Sequence, residues 1–196
     1  MLPFSEACER NKEPILDILQ SRLSAVNTVL EIGSGTAQHA VYFAKYLPHL
    51  TWQTTDQLQY MEGINQRLEQ EGPKNVLAPL MLDVAKQPWP VSVAEAVFSA
   101  NTLHIMSSDN VVCFFQGCGR TLKQHGLLCV YGPFKYQGEF TSDSNARFDR
   151  ALQAGDSNMG IRDFEFVNEL AEAAGLQLQD DVAMPANNQM LIWKKL

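Results

Sequence analysis

The sequence predicts an α/β fold of the open, doubly wound class, with a mostly parallel sheet and helices on both faces. Two observations support this class. Short apolar segments rich in β-branched residues alternate with amphipathic segments along most of the 196 residues. Polar residues or Gly-containing turns follow the first four predicted strands. Because ligands bind beyond the carboxyl ends of the strands in this class, those strand ends are the expected ligand site.

The first half of the chain alternates helices with strands. Apolar residues at helical spacing predict a helix over residues 11–23, with Pro14 tolerated in its first turn. A Gly-Ser-Gly segment follows the first strand directly, and Pro48 and Gly72-Pro73 end the next two helices. The further predicted elements are strands at 26–32, 50–55 and 76–82 and helices at 37–47 and 58–70.

The second half continues the alternation of strands and helices and then ends in two consecutive strands. It contains a strand at 93–100, a helix at 110–122 and a strand at 126–131. A polar loop is expected to about residue 160, with a helical turn around 145–152, followed by a helix at 164–174. Two closing strands, 176–184 and 189–194, predict an antiparallel edge on the sheet. With no internal repeat and no linker, residues 1–196 are expected to form a single domain.

Composition and charge exclude several functional classes. The chain is 45% hydrophobic and 19% charged, which is typical of a folded protein and not of a disordered one. No apolar run approaches the roughly 18 residues that span a bilayer, and the N-terminus lacks a signal-peptide pattern. A cytoplasmic location without membrane association is therefore expected. The net charge of −7 disfavours binding to nucleic acid.

The four cysteines do not have the spacing of a zinc site. Cys113 and Cys118 are five residues apart, and no second close pair or cluster of histidines accompanies them. We expect buried free thiols and no metal ion.

Polar groups lie at four consecutive predicted strand ends. Glu31, Gly33 and Gly35 lie at the end of the first strand, Asp56 at the end of the second, Asp83 of the third and Asn101 of the fourth. Glycines let the backbone approach a ligand closely, and the amides that open the next helix can bind an anionic group. The expected cofactor-binding residues are these together with three neighbours: Ser34, Gln57 and Val84.

The charges at these strand ends favour S-adenosylmethionine over a dinucleotide. A dinucleotide motif requires a third glycine where Gln38 stands, and Glu31 would repel a pyrophosphate but attract an ammonium group. Asp56 has the spacing of an acid that binds both ribose hydroxyls, and Asp83 is placed to accept from the adenine amine. The alternatives are a simple tight turn for the glycines and ordinary capping for the two aspartates.

Nearly the whole chain resembles a little-characterised methyltransferase-like family, domain of unknown function 938, which includes the methyltransferase-like 26 group. The resemblance implies a class I methyltransferase fold, with a seven-stranded Rossmann-like sheet and a cofactor site on Glu31, Gly33, Gly35, Asp56, Asp83 and Asn101. It implies neither reaction nor substrate. Ala37 departs from the third glycine of many methyltransferases. The matching segments are Glu9-Arg10-Asn11, Glu31-Ile32-Gly33-Ser34-Gly35-Thr36-Ala37-Gln38-His39-Ala40, Leu82-Asp83-Val84, Pro88-Trp89-Pro90, Asn101-Thr102-Leu103-His104-Ile105, Tyr131-Gly132-Pro133-Phe134, Ser144-Asn145, Phe148-Asp149, Gly160-Ile161-Arg162-Asp163 and Met184-Pro185-Ala186-Asn187-Asn188.

His104 is the first candidate for a catalytic residue, because it follows the fourth strand and its neutral form can accept a proton near pH 7. The alternative is a histidine that bonds only to the backbone. Tyr131 is the second candidate, and like Tyr136 it could instead form a wall of the pocket. Asn101 is not followed by Pro-Pro-aromatic, so the signature of adenine or glutamine amino-methylation is missing.

Six residues are candidates for substrate binding. Asn145 and Asp149 lie in the polar stretch expected to form a lid, and Arg162 could hold a substrate carboxylate or form a solvated pair. Residues 1–25 are expected to form a helical segment over the cofactor pocket. The candidate set is Arg10, Asn11, Tyr136, Asn145, Asp149 and Arg162.

The sequence therefore predicts an S-adenosylmethionine-dependent methyltransferase that acts on a small molecule, as a monomer or homodimer. One alternative is a non-catalytic module that binds S-adenosylmethionine or S-adenosylhomocysteine within a complex. A second is an NAD-dependent oxidoreductase, which Gln38 and Glu31 disfavour.

Overall fold

The computed structural model describes residues 2–196, and its main feature is a seven-stranded sheet. The strands of the chain are β1 (Thr28–Ile32), β2 (Thr51–Asp56), β3 (Val76–Met81), β4 (Ala94–Ala100), β5 (Leu122–Gly132), β6 (Phe134–Tyr136), β7 (Glu139–Phe140), β8 (Arg162–Asp163), β9 (Leu176–Met184) and β10 (Asn188–Lys195). The order in the large sheet is β3-β2-β1-β4-β5-β10-β9. The short strands form a second sheet in the order β7-β6-β8.

Strand direction in the large sheet agrees with the predicted class. β1 runs parallel to both β2 and β4, and β2 runs parallel to β3. β10 is antiparallel to β5 on one side and to β9 on the other. The predicted mostly parallel sheet with an antiparallel edge is therefore confirmed.

Six α-helices connect the strands, and their bounds are α1 (Glu6–Arg22), α2 (Gln38–Tyr46), α3 (Met61–Glu71), α4 (Ser108–Thr121), α5 (Asp143–Gly155) and α6 (Phe164–Ala173). Single 3-10 turns precede α3 and β10, at Leu58–Tyr60 and Pro185–Asn187. The first helix begins five residues earlier than predicted. Its N-cap is Ser5, whose hydroxyl accepts a hydrogen bond from the Cys8 amide, and the acidic residues Glu6 and Glu9 lie in its first turn.

The expected polar loop before residue 160 is wrong, but the helical turn predicted within it at 145–152 is confirmed. This turn lies inside the 13-residue helix α5, and the β6–β7 hairpin comes before it. Ser142 caps α5 by accepting from the Asn145 amide, so a local side chain starts the helix. The helix buries polar residues, Asn145 and Asp149, which makes its apolar pattern too sparse to predict its length.

The chain groups into two compact units, one up to Ser99 and one from Ala100 to Leu196. In the first unit Phe43, Trp52 and Phe98 pack within 5.5–5.7 Å between ring centroids. In the second unit Phe115 contacts both Phe114 and Trp193 edge-on. All six rings are fully buried, and each stabilises its unit by roughly 1.5–3 kcal/mol. None of the helices in residues 2–196 is long and apolar enough to cross a membrane.

Candidate functional site

The loop between β1 and α2, residues 33–37, adopts a backbone that suits close approach to a ligand. Gly33 and Gly35 have φ values of 77° and 55°. A side chain at Gly35 would meet no atom within 4 Å, so open space adjoins the loop there. Ala37 also has a positive φ, 57°, and is the N-cap of α2. We call residues 33–37 the glycine-rich loop.

Glu31 supports this loop from a fully buried position. Its Oε2 accepts hydrogen bonds from the Ser34 hydroxyl at 2.7 Å and from the Trp52 indole at 3.1 Å. Burial raises the pKa of Glu31 to about 7, and the nearby Asp56 carboxylate adds to the rise, while the two hydrogen bonds oppose it. The Ser34 oxygen in turn accepts from the Thr55 amide, so Glu31, the loop and β2 are joined.

Asp56 fixes the loop from the end of β2. One carboxylate oxygen accepts from the Gly35 amide at 2.7 Å and the other from the Gln57 amide at 2.7 Å. Burial raises the pKa of Asp56, and these two backbone hydrogen bonds oppose the rise. A carboxylate has about four acceptor positions, so two amide bonds leave acceptor capacity for ligand hydroxyls.

Asp83 lies near Asp56 in the fold of the first unit, because the Leu82 amide donates to the Asp56 carbonyl at 2.9 Å. Asp83 itself accepts from the Ala85 amide and lies 3.5 Å from the Lys86 ammonium. These contacts fit the capping alternative. Next to it, the buried Val84 accepts at its carbonyl from the Trp89 indole.

Arg10 and Asn11 have contacts within α1 and α2. Arg10 is solvent-exposed and lies 3.7 Å from the Glu6 carboxylate. Asn11 is buried, with its amide oxygen 2.6 Å from His39 Nε2. Burial lowers the pKa of His39 to about 4, so the ring is neutral at pH 7 and can donate to Asn11. A packing role accounts for these contacts, and the predicted ligand-facing role stays a prediction.

In the second unit, Asn101 and His104 lie beside Gly132 at the end of β5. Asn101 has a φ of 59° and its amide donates to the Tyr131 carbonyl. A Cβ at Gly132 would lie 3.9 Å from the Asn101 Oδ1 and 4.0 Å from the His104 Nδ1, at ordinary contact distance, so both polar atoms border this corner.

His104 is buried and neutral. Burial, together with the Arg162 charge, lowers the pKa of His104 to about 4. Its ring meets the half-exposed Phe148 ring edge-on, with 5.2 Å between centroids. A neutral imidazole of this kind can accept a proton or a hydrogen bond at pH 7.

Arg162 and Asp149 hold the segments around His104. Arg162 donates to the carbonyls of Leu103, Met106 and Asn158 and to the Ser108 hydroxyl, which occupies four of its five N–H groups. Asp149 accepts from the Ile161 amide at 2.7 Å and from Gln153 at 2.8 Å.

Three further candidates of the second unit have defined partners. The side-chain amide of Asn145 donates to the Thr141 hydroxyl and to the Asn187 carbonyl, both at 2.9 Å. The Tyr136 hydroxyl donates to Asp181 at 2.7 Å, and burial with that carboxylate raises the pKa of Tyr136 far above its ordinary value. Tyr131 is buried at the end of β5.

Several residues at these sites did not stand out in the sequence. Trp52 and Thr55 contact the Glu31 carboxyl and carbonyl from β2, and Phe148 contacts His104. Strand alternation identifies Trp52 as inward-facing, but no local pattern indicates which carboxylate it meets.

The part of the chain that the structure describes contains no group of three or more His, Cys, Asp or Glu residues able to hold a metal ion. Its four cysteines are free thiols, of which Cys118 and Cys129 are buried as predicted, whereas Cys8 and Cys113 are only partly buried.

Solved structures with the same fold include methyltransferases of low sequence identity. An O-methyltransferase family protein from Burkholderia thailandensis superposes with a TM-score of 0.84 at 14% identity, covering 97% of this chain and 57% of that one. Human N-acetylserotonin methyltransferase, solved in complex with SAM, superposes with a TM-score of 0.81 at 17% identity, covering 97% of this chain and 53% of that one. An O-methyltransferase family 2 protein from Planctomyces limnophilus, solved with apigenin, superposes with a TM-score of 0.76 at 15% identity, covering 94% of this chain and 62% of that one.

The present chain thus spans between 53% and 62% of the length of these three proteins, and their likeness shows the fold. The model of one protein family, described as "Protein of unknown function (DUF938)", matches residues 2–195. Because this match covers almost the full sequence, the chain belongs to the DUF938 family.

Proposed function

We propose that this protein is an S-adenosylmethionine-dependent methyltransferase whose acceptor is a small, uncharged molecule. The observation that carries the proposal is the glycine-rich loop held between two buried carboxylates, Glu31 and Asp56. The chain also has the fold of solved methyltransferases, one of which was solved in complex with SAM.

The chemistry of the first unit fits this cofactor. Asp56 keeps acceptor capacity for ribose hydroxyls, and Glu31 can balance the charge of an ammonium group. Asp83 is the candidate for the adenine amine. The open space at Gly35 leaves room for a ligand beside the loop. Bound S-adenosylmethionine would supply a methyl group activated by its sulfonium.

The second unit supports an uncharged acceptor. The charge of Arg162 acts on His104, and four of the five N–H groups of Arg162 are taken by protein oxygens. Both oxygens of Asp149 also accept from protein groups. Because protein groups compensate these charges, the groups left to bind the acceptor are the neutral His104 and the partly exposed Phe148 and Ile105. His104 is the proposed base when the acceptor must lose a proton.

Calorimetry with S-adenosylhomocysteine, S-adenosylmethionine and NAD tests the cofactor. We expect the first two to bind and Asp56→Ala to weaken binding at least tenfold, about 1.4 kcal/mol. The matched control is Asp17→Ala, which removes an exposed carboxylate from α1 and should leave affinity unchanged. Binding of NAD alone would favour the oxidoreductase instead.

Turnover is tested separately by incubating the protein with S-adenosylmethionine and a metabolite extract. Formation of S-adenosylhomocysteine that depends on the extract supports an enzyme. Tight binding without such formation in any extract fraction favours the non-catalytic binding module.

A further inference from the structure

The first residues of the chain are bound to the cofactor loop through one glutamine. Gln38 Oε1 accepts from the Ser5 amide at 2.6 Å and from the Thr36 hydroxyl at 2.9 Å. Gln38 stands where a dinucleotide-binding loop requires glycine. In this protein the side chain at that position therefore joins the glycine-rich loop to residues 2–5, which we call the N-terminal segment.

One buried arginine makes a second connection between the same two parts. Arg67 of α3 donates from Nε to the Thr36 carbonyl and from Nη2 to the Pro3 carbonyl, both at 2.6 Å. Its Nη1 pairs with Glu71 at 2.5 Å. Arg67 is 6% exposed, so undocking the segment would leave a buried charged group short of an acceptor.

The packing of Pro3 on α3 is close enough to require a glycine. A Cβ added to Gly63 would lie 2.8 Å from Pro3 Cγ. The N-terminal segment is thus held on α3 by shape as well as by hydrogen bonds.

We propose that Gln38 and Arg67 are positioning residues that couple the N-terminal segment to the glycine-rich loop, so that docking of the segment and binding of the cofactor stabilise each other. This inference rests on the proposed function. Both residues contact Thr36 within the loop and the segment outside it, so ordering either part restricts the other. Coupling of this kind is reciprocal: the cofactor must protect the segment as much as the segment strengthens cofactor binding.

Hydrogen exchange of the wild-type protein, with and without S-adenosylhomocysteine, tests the first half of this reciprocity. We expect the ligand to slow exchange of the Ser5 amide, whose acceptor is Gln38. Unchanged exchange of this amide at saturating ligand would overturn the coupling. A calorimetric titration with S-adenosylhomocysteine reports separately whether the ligand binds. If it does not bind, the proposed function fails, and that result is distinct from a failure of the coupling.

Three variants test the second half by calorimetry. Gln38→Leu removes the shared acceptor and should weaken S-adenosylhomocysteine binding by about three- to tenfold. Gln38→Glu keeps the acceptor but loses the Nε2 donor to the Ser5 carbonyl, so it should restore part of the affinity. Gly63→Ala displaces Pro3 without altering the loop, and Ala is a better helix former than Gly, so the fold should persist. We expect Gly63→Ala to speed exchange at Ser5 and to weaken binding.

The matched control is Gly155→Ala, since a Cβ at Gly155 would meet nothing within 4 Å. If Gly63→Ala loosens the segment while affinity stays at the wild-type value, the segment is only a structural tail and the proposal is wrong. Equal weakening in Gln38→Leu and Gln38→Glu would also contradict it, because the acceptor would then not be the relevant feature.

Discussion

The buried carboxyl of Glu31 should make the stability of the protein depend on pH. Its pKa is about 7 in the folded chain against an ordinary 4.5, so the folded state favours the protonated form. The stability that this group contributes is complete below about pH 4.5 and is lost as pH rises through about 7. We expect the wild type to lose more unfolding free energy between pH 5 and pH 8 than Glu31→Gln, as measured by urea unfolding. Parallel losses in both proteins would refute this role of Glu31.

His104 allows a different prediction at the level of one side chain. Replacing it by glutamine should lower turnover of an identified acceptor by about 10²–10⁴, the usual contribution of a general base, with cofactor affinity unchanged. Because its pKa is about 4, the acidic limb of the wild-type pH–rate profile should lie well below the ordinary histidine range. His125→Gln, at an exposed histidine of β5, serves as the control. If His104→Gln retained its turnover, His104 would not be the base, and the alternative of a histidine that bonds only to the backbone would stand.

The elements were largely predictable, and the exceptions have physical causes. The four strands that follow the first helix were located to within two residues at each end, because β-branched runs and Gly or Pro boundaries mark them. Only a turn of α5 was predicted and not its full length, since the helix buries Asn145 and Asp149 against polar partners and its apolar pattern is weak. The strand-end carboxylates were likewise predictable. The partners Arg67 and Trp52 were not, because contacts between distant segments leave no local signal.

Arg162 provides a prediction at the level of the segment after β4. Arg162→Lys keeps the charge but loses the fork that binds three carbonyls, so residues 103–108 should become less ordered. We expect faster hydrogen exchange at the Gly160 amide, which donates to the His104 carbonyl. Arg147→Lys in α5 is the control. Unchanged exchange at Gly160 would show that Arg162 does not order this segment.

At the scale of the whole molecule, the single-domain prediction has a direct calorimetric test. The boundary between the two compact units falls within β4, not in a linker, so separate unfolding would have to break a strand. We therefore expect one thermal transition whose calorimetric and van't Hoff enthalpies agree. Two resolved transitions would show that the units fold independently.

The arginines at 67 and 162 share a property with an evolutionary consequence. Arg67 recognises the carbonyls of Pro3 and Thr36, and Arg162 those of Leu103, Met106 and Asn158. A carbonyl is present whatever side chain a residue carries. Where the side chain of such a partner is not buried, as at Met106 and Asn158, it can therefore change under mutation while the arginine stays constrained. Saturation mutagenesis should find both arginines intolerant and positions 106 and 158 permissive.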